Sequence, residues 1–283
     1  MGQRLGQHFL TDGGWRNRVV DALSVAAEDV WIEIGAGRGE ITGELLRRAR
    51  YVLAIERDPP LVHHLRRLAA DSPNLSIIHG DILQVDLAAL LREAQQRAAG
   101  AHVSVYGSLP YYITSPILHR LFPISSGLQG IHVIVQREVA ERMIAPPGTR
   151  EYGYLSVATQ FWTRAELALR IPAGAFRPPP RVQSALVRLR APGAAASLDI
   201  ADAEEFLGFA QACFAQKRKK LVNNLQTLGT RPAAVEWIAA AGAPAEARAE
   251  QLSIPQLAAV YAAAASAGAL RRARQSGDPA GCS

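Results

Sequence analysis

The sequence is short of cysteine, of aromatic residues and of long apolar runs, and each shortage excludes a class of protein. Cys213 and Cys282 are the only two cysteines, so a disulfide framework is excluded, and their spacing is not that of metal ligands. No apolar run reaches the roughly 20 residues that cross a bilayer, and the sequence begins without the apolar segment of a signal peptide. We therefore expect a cytoplasmic protein that binds neither a membrane nor a metal ion.

The composition is that of a folded protein with a modest positive charge. Hydrophobic residues make up 49% of the chain, which supplies a sizeable core and excludes wholesale disorder. Aromatic residues make up only 6%, so closely packed helices are favoured over an aromatic-rich β-sandwich. Lys and Arg outnumber Asp and Glu by 31 to 25, which gives a net charge of +6. An excess this small matters chiefly through its distribution along the chain.

Short apolar runs alternate with helical apolar spacing through the first half of the chain. The strand candidates are Val30–Gly37, Tyr51–Asp58, Leu75–Leu83, His102–Pro110 and Ile131–Gln136. Alternating strands and helices are typical of a parallel sheet covered by helices on both faces, and runs without polar alternation fit burial on both sides. The pattern therefore predicts an α/β fold with a doubly wound, mainly parallel, Rossmann-like sheet.

The pattern changes after Gln136, and the last third of the chain is nearly all helix-forming. A proline cluster and one more strand candidate come first, and residues 191–197 (APGAAAS) have the composition of a linker. We therefore predict a main domain over residues 1–190 and a small all-helical domain over residues 198–270. Residues 271–283 are expected to be a frayed tail.

A glycine-rich turn, EIGAGRGE, follows the first strand candidate. Its Gly35, Gly37 and Gly39 allow a sharp turn and the close approach of a ligand to the backbone. Glu56 ends the second strand candidate about 20 residues later, where doubly wound sheets accept hydrogen bonds from ribose hydroxyls. Together they indicate an adenosine-bearing cofactor. A glycine turn without a ligand is the alternative, which Glu56 disfavours.

The glycine spacing distinguishes between two adenosine-bearing cofactors. Dinucleotide-binding enzymes use G-x-G-x-x-G, whereas this turn reads G-x-G-x-G with Glu33 before it and Glu40 after it. Acidic neighbours suit a cation better than a pyrophosphate, and S-adenosylmethionine carries a sulfonium and an ammonium group. We therefore predict S-adenosylmethionine as the cofactor, with an NAD-dependent dehydrogenase as the weakest alternative.

The third strand candidate ends in HGDIL, where Asp81 and Ile82 are candidates for binding adenine. The Asp81 carboxylate is expected to accept the adenine amino group, and the Ile82 backbone N–H to donate to the ring. Alone, Asp81 is more often a helix N-cap. As the third acidic or glycine-rich strand end in succession, it favours the cofactor-binding interpretation.

The fourth strand candidate ends in SLPY, a polar–x–Pro–aromatic pattern that methyltransferases use on exocyclic amines. The adenine N6 lone pair is delocalised into the ring, and two acceptors, the Ser108 side chain and the Leu109 carbonyl, are expected to orient it. Pro110 stiffens the turn, Tyr111 stacks on the base, and Phe176 closes on the opposite face of an extruded nucleotide. The alternative is a proline-terminated strand with a tyrosine and a phenylalanine in the core.

Taken together, these motifs resemble the ribosomal RNA adenine dimethyltransferase family, in particular its small-subunit branch. The matching segments are GQHFL (Gly6–Leu10), EIGAGRGEIT (Glu33–Thr42), IERD (Ile55–Asp58), GDIL (Gly80–Leu83), SLPYYITSPIL (Ser108–Leu118), QREVAERM (Gln136–Met143), YGYLSV (Tyr152–Val157), FRPPPRVQSAL (Phe176–Leu186) and AQKRKKLVNNL (Ala215–Leu225). The resemblance implies transfer of two methyl groups from S-adenosylmethionine to N6 of each of two adjacent adenosines. These lie near the 3′ end of small-subunit (16S) rRNA and are modified during ribosome maturation.

The resemblance also implies roles for single residues and a partner. His8 and Leu10 are expected to form an N-terminal lid over the cofactor, with Gly35 facing its methionine part. The complete expected cofactor-binding set is His8, Leu10, Gly35, Gly37, Glu56, Asp81, Ile82 and Ser108, and the expected catalytic set is Ser108, Leu109, Pro110, Tyr111 and Phe176. The implied partner is small-subunit rRNA or an immature small ribosomal subunit, bound by a monomer.

Three positions depart from the family pattern. Ser108 stands where the family normally has asparagine, His8 where bacterial members often have asparagine, and Ala36 where proline is usual. Serine offers a single hydroxyl acceptor on a shorter arm. We hypothesise that Ser108 remains catalytic, with slower activity or arrest after one methyl group as the alternatives.

Four consecutive basic residues lie near the start of the last third of the chain, in QKRKKLVNN. They are Lys217, Arg218, Lys219 and Lys220, and we expect little compensating acid nearby. Such a cluster on a helix neutralises RNA phosphates and makes affinity depend on salt. A solvated helix face is the usual explanation of a charge run, but the resemblance favours RNA binding and the small-subunit branch.

Two other functions stay open at the level of sequence. A large-subunit rRNA adenine methyltransferase of the antibiotic-resistance type shares the same catalytic core. The second is a ribosome-assembly factor that binds RNA but has lost catalysis, with Ser108 as the sign of that loss. Binding without methyl transfer would identify this factor.

Overall fold

The structure, a computed structural model, describes residues 8–270. The predicted tail at 271–283 and the start of the GQHFL motif lie outside these residues. The described chain divides into two compact units. The first takes in the residues up to Ile144 together with Trp162–Gly193, and the second takes in Ala145–Phe161 and the residues from Ala194 onward.

The first unit is built on a mainly parallel sheet. Within the described residues the strands are β1 (Phe9–Leu10), β2 (Val30–Ile34), β3 (Tyr51–Glu56), β4 (Leu75–His79), β5 (Val103–Ser108), β6 (Gly130–Gln136), β7 (Arg164–Ile171), β8 (Phe176–Arg177) and β9 (Ser184–Arg190). One sheet has the order β4-β3-β2-β5-β6-β9-β7, in which β4 to β6 are parallel and β9 is antiparallel to both neighbours. β1 and β8 form a separate antiparallel pair.

Helices follow most strands of the first unit, and five helices lie wholly or mostly in the described part of the second. In the described chain they are α1 (Gly13–Leu23), α2 (Thr42–Leu46), α3 (Pro59–Ala70), α4 (Leu87–Ala98), α5 (Thr114–Leu121), α6 (Arg137–Ile144), α7 (Tyr154–Trp162), α8 (Ala203–Cys213), α9 (Leu221–Leu225), α10 (Arg231–Ala240) and α11 (Ile254–Ser266). The predicted fold class, a doubly wound Rossmann-like sheet followed by a helical region, is confirmed. None of the helices in the part of the chain that the structure describes has both the length and the apolarity of a bilayer span.

The central strands are apolar on both faces because helices cover both faces. All five residues of β2 are buried, and β6 is buried up to its last residue. On one face, Val20 and Leu23 of α1 belong to the same hydrophobic cluster as Trp31 and Tyr106 of the sheet. Because these strands are parallel, their carboxyl ends lie at one edge of the sheet. Motifs that are far apart in sequence are brought together at that edge.

The edge strand β7 is not among the strands that the sequence predicts. Its exposed or half-buried residues include Arg164, Glu166 and Arg170, so it lacks the unbroken apolar run that identified the central strands. Charged side chains on an edge strand protect it from pairing with another sheet. The strand forms because β9 pairs with it in antiparallel fashion from end to end, interrupted only by a register shift between Leu167 and Leu169.

The second unit has an aromatic core that draws in an earlier segment of the chain. The Phe161 ring lies 5.0 Å from the Phe206 ring, and the Phe206 ring lies 5.6 Å from that of Tyr261 (centroid to centroid). Through these contacts Ala145–Phe161 groups with the C-terminal helices, whereas the sequence assigns this segment to the domain at 1–190. The sequence of an apolar helix shows that the helix is buried, but it does not show which other elements of the protein cover it.

Candidate active site

A single cleft in the first unit is lined by all the residues predicted to bind the cofactor or the base. It lies at the carboxyl ends of the parallel strands, where doubly wound folds bind their ligands. The predicted residues in its lining are His8, Leu10, Gly35, Gly37, Glu56, Asp81, Ile82, Ser108, Leu109, Pro110, Tyr111 and Phe176. Their convergence is an observation about placement, and their individual roles stay predictions.

The glycine turn requires glycine for two separate reasons. Gly35 and Gly37 have φ angles of +70° and +60°, a region that side chains disfavour. A Cβ atom added to Gly37 would also lie 3.1 Å from the ring of Phe9 on β1. The turn therefore brings bare backbone against the cleft and against the N-terminal strand.

Glu56 joins the ends of two neighbouring strands through its carboxylate. Its Oε2 accepts the Gly37 N–H at 2.8 Å, and its Oε1 accepts the N–H groups of Arg57 and Asp58, each at 2.8 Å. The side chain is buried, so these three donors hold it in one orientation. Since a carboxylate has about four lone-pair sites, one remains for a ligand hydroxyl, as the predicted ribose contact requires.

Glu33 is a buried acid in the cleft that the predicted site set does not include. The Thr42 hydroxyl donates to its Oε2 at 2.6 Å. Burial raises the pKa of Glu33 to about 8; the Thr42 hydrogen bond opposes this shift, and the nearby charges of Glu40 and Glu56 add to it. The carboxyl is therefore mostly protonated at neutral pH, and an arriving cation would favour its ionised form.

Asp81 has local partners as well as a position in the cleft. Its Oδ1 accepts the Leu83 N–H at 2.9 Å within a turn, whereas the N-cap of the next helix, α4, is Asp86, so Asp81 is not the helix N-cap considered as its alternative role. Its Oδ2 lies 3.2 Å from the guanidinium of Arg57, another cleft residue that the sequence did not single out. Asp81 is thus held in place by two contacts, while its contact with adenine stays a prediction.

The SLPY turn leaves two acceptors available at the tip of β5. The Leu109 N–H donates to the Ile134 carbonyl at 3.0 Å, and the Pro110 carbonyl accepts the Thr114 hydroxyl at 3.1 Å. Within the described chain, neither the Ser108 hydroxyl nor the Leu109 carbonyl has a hydrogen-bond partner. These are the two acceptors that the sequence assigned to the target amine.

Tyr111 is held in place by its hydroxyl and by a ring contact. Its hydroxyl is 2.8 Å from the Ser184 Oγ on β9, and its ring stacks against the His8 ring at a centroid distance of 5.8 Å. His8 in turn donates from Nδ1 to the Pro178 carbonyl at 2.7 Å. Burial raises the pKa of Tyr111, and the Ser184 hydrogen bond partly opposes that rise. The tyrosine therefore stays a neutral, oriented ring.

Phe176 lines the cleft but is also part of the protein core. Its side chain is only 1% exposed, and it belongs to the hydrophobic cluster that includes Leu10, its partner in the β1–β8 pair. The structure thus shows Phe176 in the core, which is the alternative that the sequence left open for this residue. Its stacking on a base stays a prediction.

The Ser184→Ala substitution is expected to lower kcat/KM for RNA by about 3- to 10-fold, because Tyr111 loses the hydrogen bond that orients it. Cofactor affinity is expected to stay unchanged. Tyr111→Phe removes the same bond from the other side, and the double variant is expected to be no worse than either single variant. Steady-state kinetics with each substrate varied in turn check this; independent, additive losses would contradict the pairing.

The four basic residues of the second unit form an exposed turn, not the predicted helix. Lys217–Lys220 lie between the end of α8 and the start of α9. The Lys217 ammonium donates to the Arg150 carbonyl, and Lys220 forms an ion pair with Glu246. The expectation that little acid lies nearby is therefore wrong for Lys220, since Glu246 is distant in sequence but adjacent in space.

Residues 2–266 match the profile of the ribosomal RNA adenine dimethylase family. The chain belongs to this family. The predicted resemblance is confirmed, and so is the predicted enzyme class, an S-adenosylmethionine-dependent rRNA adenine dimethyltransferase. The cleft fits that cofactor in its chemistry, since bare backbone and several acidic side chains surround the space where a cationic ligand would lie. Among the residues that the structure describes, no cluster of His, Cys, Asp and Glu is arranged to hold a metal ion.

Two relatives of this dimethylase family carry the name Ribosomal RNA small subunit methyltransferase A. The one from Acidobacterium capsulatum is 42% identical over 259 residues, which cover 91% of this chain and 89% of the relative. The one from Xanthomonas campestris pv. campestris is 42% identical over 250 residues, which cover 88% of this chain and 91% of the relative.

Two solved structures share the fold of this dimethylase. A dimethyladenosine transferase from Plasmodium falciparum aligns with a TM-score of 0.72 at 21% identity, covering 92% of this chain and 98% of the other. The 23S rRNA methyltransferase ErmE aligns with a TM-score of 0.63 at 23% identity, covering 90% and 98%. At these identities the likeness establishes the fold alone.

Proposed function

We propose that this dimethylase transfers two methyl groups to N6 of each of two adjacent adenosines near the 3′ end of small-subunit (16S) rRNA during ribosome maturation. The observation that carries the proposal is the cleft itself. It joins a glycine turn, the Glu56 carboxylate and the SLPY turn at one sheet edge. The names of the 42% identical relatives support the small subunit as the substrate class.

The cofactor half of the cleft is assigned to the residues around the first three parallel strand ends. Bound S-adenosylmethionine supplies an electrophilic methyl group. Gly35 and Gly37 admit its methionine part against the backbone, and Glu56 accepts one of its ribose hydroxyls. The remaining contacts of this half are proposed for His8, Leu10, Asp81, Ile82 and Ser108.

The base half of the cleft is assigned to the SLPY turn. The Ser108 hydroxyl and the Leu109 carbonyl accept the two N6 hydrogens, which turns the nitrogen lone pair out of conjugation and toward the methyl group. Tyr111 stacks on the flipped base, a contact worth about 1–3 kcal/mol. Pro110 keeps the turn rigid, and Phe176 is proposed to contact the other face.

The partner proposed for the second unit is the RNA backbone. Lys217, Arg218, Lys219 and Lys220 are all exposed, and exposed cations neutralise phosphates. We take the acting form to be a monomer in the cytoplasm, where immature small ribosomal subunits are found. Because Lys220 is already paired with Glu246, it contributes less than the other three.

The experiment that tests this function uses immature small subunits from cells lacking this methylation. The purified protein and S-adenosylmethionine are added, the RNA is digested, and mass spectrometry measures dimethyladenosine. Large-subunit RNA serves as the parallel substrate. Methylation of large-subunit RNA alone supports the antibiotic-resistance type instead, and binding without methyl transfer supports the assembly factor.

The Ser108→Asn substitution is expected to preserve or raise turnover, because an amide oxygen on a longer arm offers the same acceptor to the target amine. Ser108→Ala, which removes the acceptor, is the matched control and is expected to lower kcat about tenfold. Single-turnover rates and the ratio of mono- to dimethylated product measure both effects. A large loss in Ser108→Asn would mean that Ser108 does not hold the amine.

A further inference from the structure

Just two large hydrophobic side chains are exposed within residues 8–270, and one of them lines the cleft. Tyr112 is 61% exposed and lines the cleft directly after Tyr111. Val182 is 44% exposed and precedes Ser184, the partner of the Tyr111 hydroxyl, by two positions. An exposed aromatic ring in the lining of a cleft offers an apolar face on which a ligand can stack.

Two arginines lie in the segment that follows Phe176, a residue of the cleft lining. Arg177 adjoins Pro178, whose carbonyl accepts the hydrogen bond from His8, and Arg181 adjoins Val182. Both arginines are exposed. We call Tyr112, Arg177, Arg181 and Val182 the cleft rim.

The cleft rim is positive as well as apolar. The sequence has no Asp or Glu between Glu93 and Glu138, nor between Glu166 and Asp199, and the cleft rim lies within these two stretches. In the described chain, neither arginine of the cleft rim has a carboxylate partner. A surface that combines an exposed aromatic ring with unneutralised arginines matches a single-stranded nucleic acid, which offers base faces and phosphates.

The adjacent residues Tyr111 and Tyr112 have different surroundings, which indicates different roles. The hydroxyl of Tyr111 is tied to Ser184 and its ring is covered by His8. Tyr112 is solvated over most of its surface and has no hydrogen bond within the described chain. Tyr111 is therefore committed to the interior of the cleft, whereas Tyr112 is available to a group that stays outside it.

We propose that Tyr112 stacks on the RNA base next to the target adenosine, while Arg177 and Arg181 contact the flanking phosphates. The inference rests on the proposed function and adds to it a binding site for the neighbouring nucleotide. A flipped base leaves its neighbour without a stacking partner, and Tyr112 supplies one at the point where the strand leaves the cleft. The cleft rim would thus recognise single-stranded or locally opened RNA.

The test places 2-aminopurine on either side of the target in a short RNA and follows its fluorescence as protein is added. Wild-type protein is expected to quench the probe at one of the two positions. Tyr112→Ala is expected to abolish that quenching and to weaken RNA binding by about 5- to 100-fold, with cofactor affinity unchanged. Tyr112→Trp is expected to retain both properties.

The arginines are tested by the salt dependence of RNA binding. Arg181→Ala is expected to lower the log–log salt slope by about 0.7, the value for one phosphate contact on a single strand. Arg92→Ala, an exposed arginine on α4 away from the cleft rim, is the matched control and is expected to leave the slope unchanged. If the wild-type enzyme transfers methyl groups but Tyr112→Ala has the same RNA affinity and the same fluorescence quenching as wild type, this inference is wrong while the proposed function stands. Absence of methyl transfer by wild-type enzyme overturns the proposed function.

Discussion

Replacing Glu56 by alanine is expected to weaken S-adenosylmethionine binding by about 10- to 100-fold. The Glu56 carboxylate accepts three backbone N–H groups, including that of Gly37 in the glycine turn, and it is the proposed acceptor for a ribose hydroxyl. Hydrogen bonds to a charged group contribute about 1.5–3 kcal/mol each, and every 1.4 kcal/mol is tenfold in affinity. Isothermal titration calorimetry with the cofactor measures the loss.

Two companion variants separate the lost contact from general damage. Glu56→Gln keeps a neutral acceptor of the same shape and is expected to bind with intermediate affinity. Glu28→Ala removes an exposed acid outside the cleft and is expected to bind like wild type. Cofactor affinity within about fivefold of wild type in a folded Glu56→Ala protein would show that this carboxylate is not part of the cofactor site.

Acid is expected to destabilise the first unit through His132, a residue on β6 that is only 4% exposed. Its ring packs 5.4 Å from that of Trp31, and its Nδ1 has no hydrogen-bond partner within the described residues. Burial, and then the positive charges of Arg188 and Arg190, lower the pKa of His132 from 6.5 to about 3. The folded protein therefore holds this histidine neutral in a pH range where the unfolded chain protonates it.

The direction and size of the effect follow from that difference in proton binding. Stability from this group is complete above pH 6.5 and falls as the pH drops toward 3, by about 1.4 kcal/mol per unit. Between pH 7 and pH 5, His132→Gln is expected to lose about 2 kcal/mol less free energy of unfolding than wild type. Urea unfolding at several pH values measures the difference.

The control for this experiment is His63→Gln, which alters an exposed histidine on α3. It is expected to show the same acid dependence as wild type. An identical pH dependence in wild type and His132→Gln would mean that the folded protein tolerates the protonated ring.

The parts of the site that sequence predicts are those with a local chemical signature. Gly35 and Gly37 are recognisable because only glycine suits a positive φ next to a ligand. Glu56 and Ser108 are recognisable because each ends an apolar run, and the carboxyl ends of parallel strands meet at one edge. The same runs predict the central strands, since burial on both faces leaves no polar alternation.

The remaining features depend on contacts between distant residues, which no local pattern encodes. The Ser184 Oγ meets the Tyr111 hydroxyl across 73 positions of sequence. Glu246 neutralises Lys220 from a separate segment, and the perturbed pKa of Glu33 arises from burial that only the assembled sheet provides. Likewise, the partners of α7 are aromatic residues that follow it in the chain.

The short pair formed by β1 and β8 gives the two halves of the cleft a common wall. Leu10 of the N-terminal strand is opposite Phe176, and the N–H groups of Thr11 and Asp12 both donate to the Ala175 carbonyl. Leu10 is proposed to contact the methyl donor, and Phe176 is proposed to contact the methyl acceptor. A chain that begins at Thr11 lacks β1 and therefore the wall shared by both halves of the cleft. We expect such an enzyme to lose affinity for the cofactor and for the RNA together, although the two are chemically unrelated.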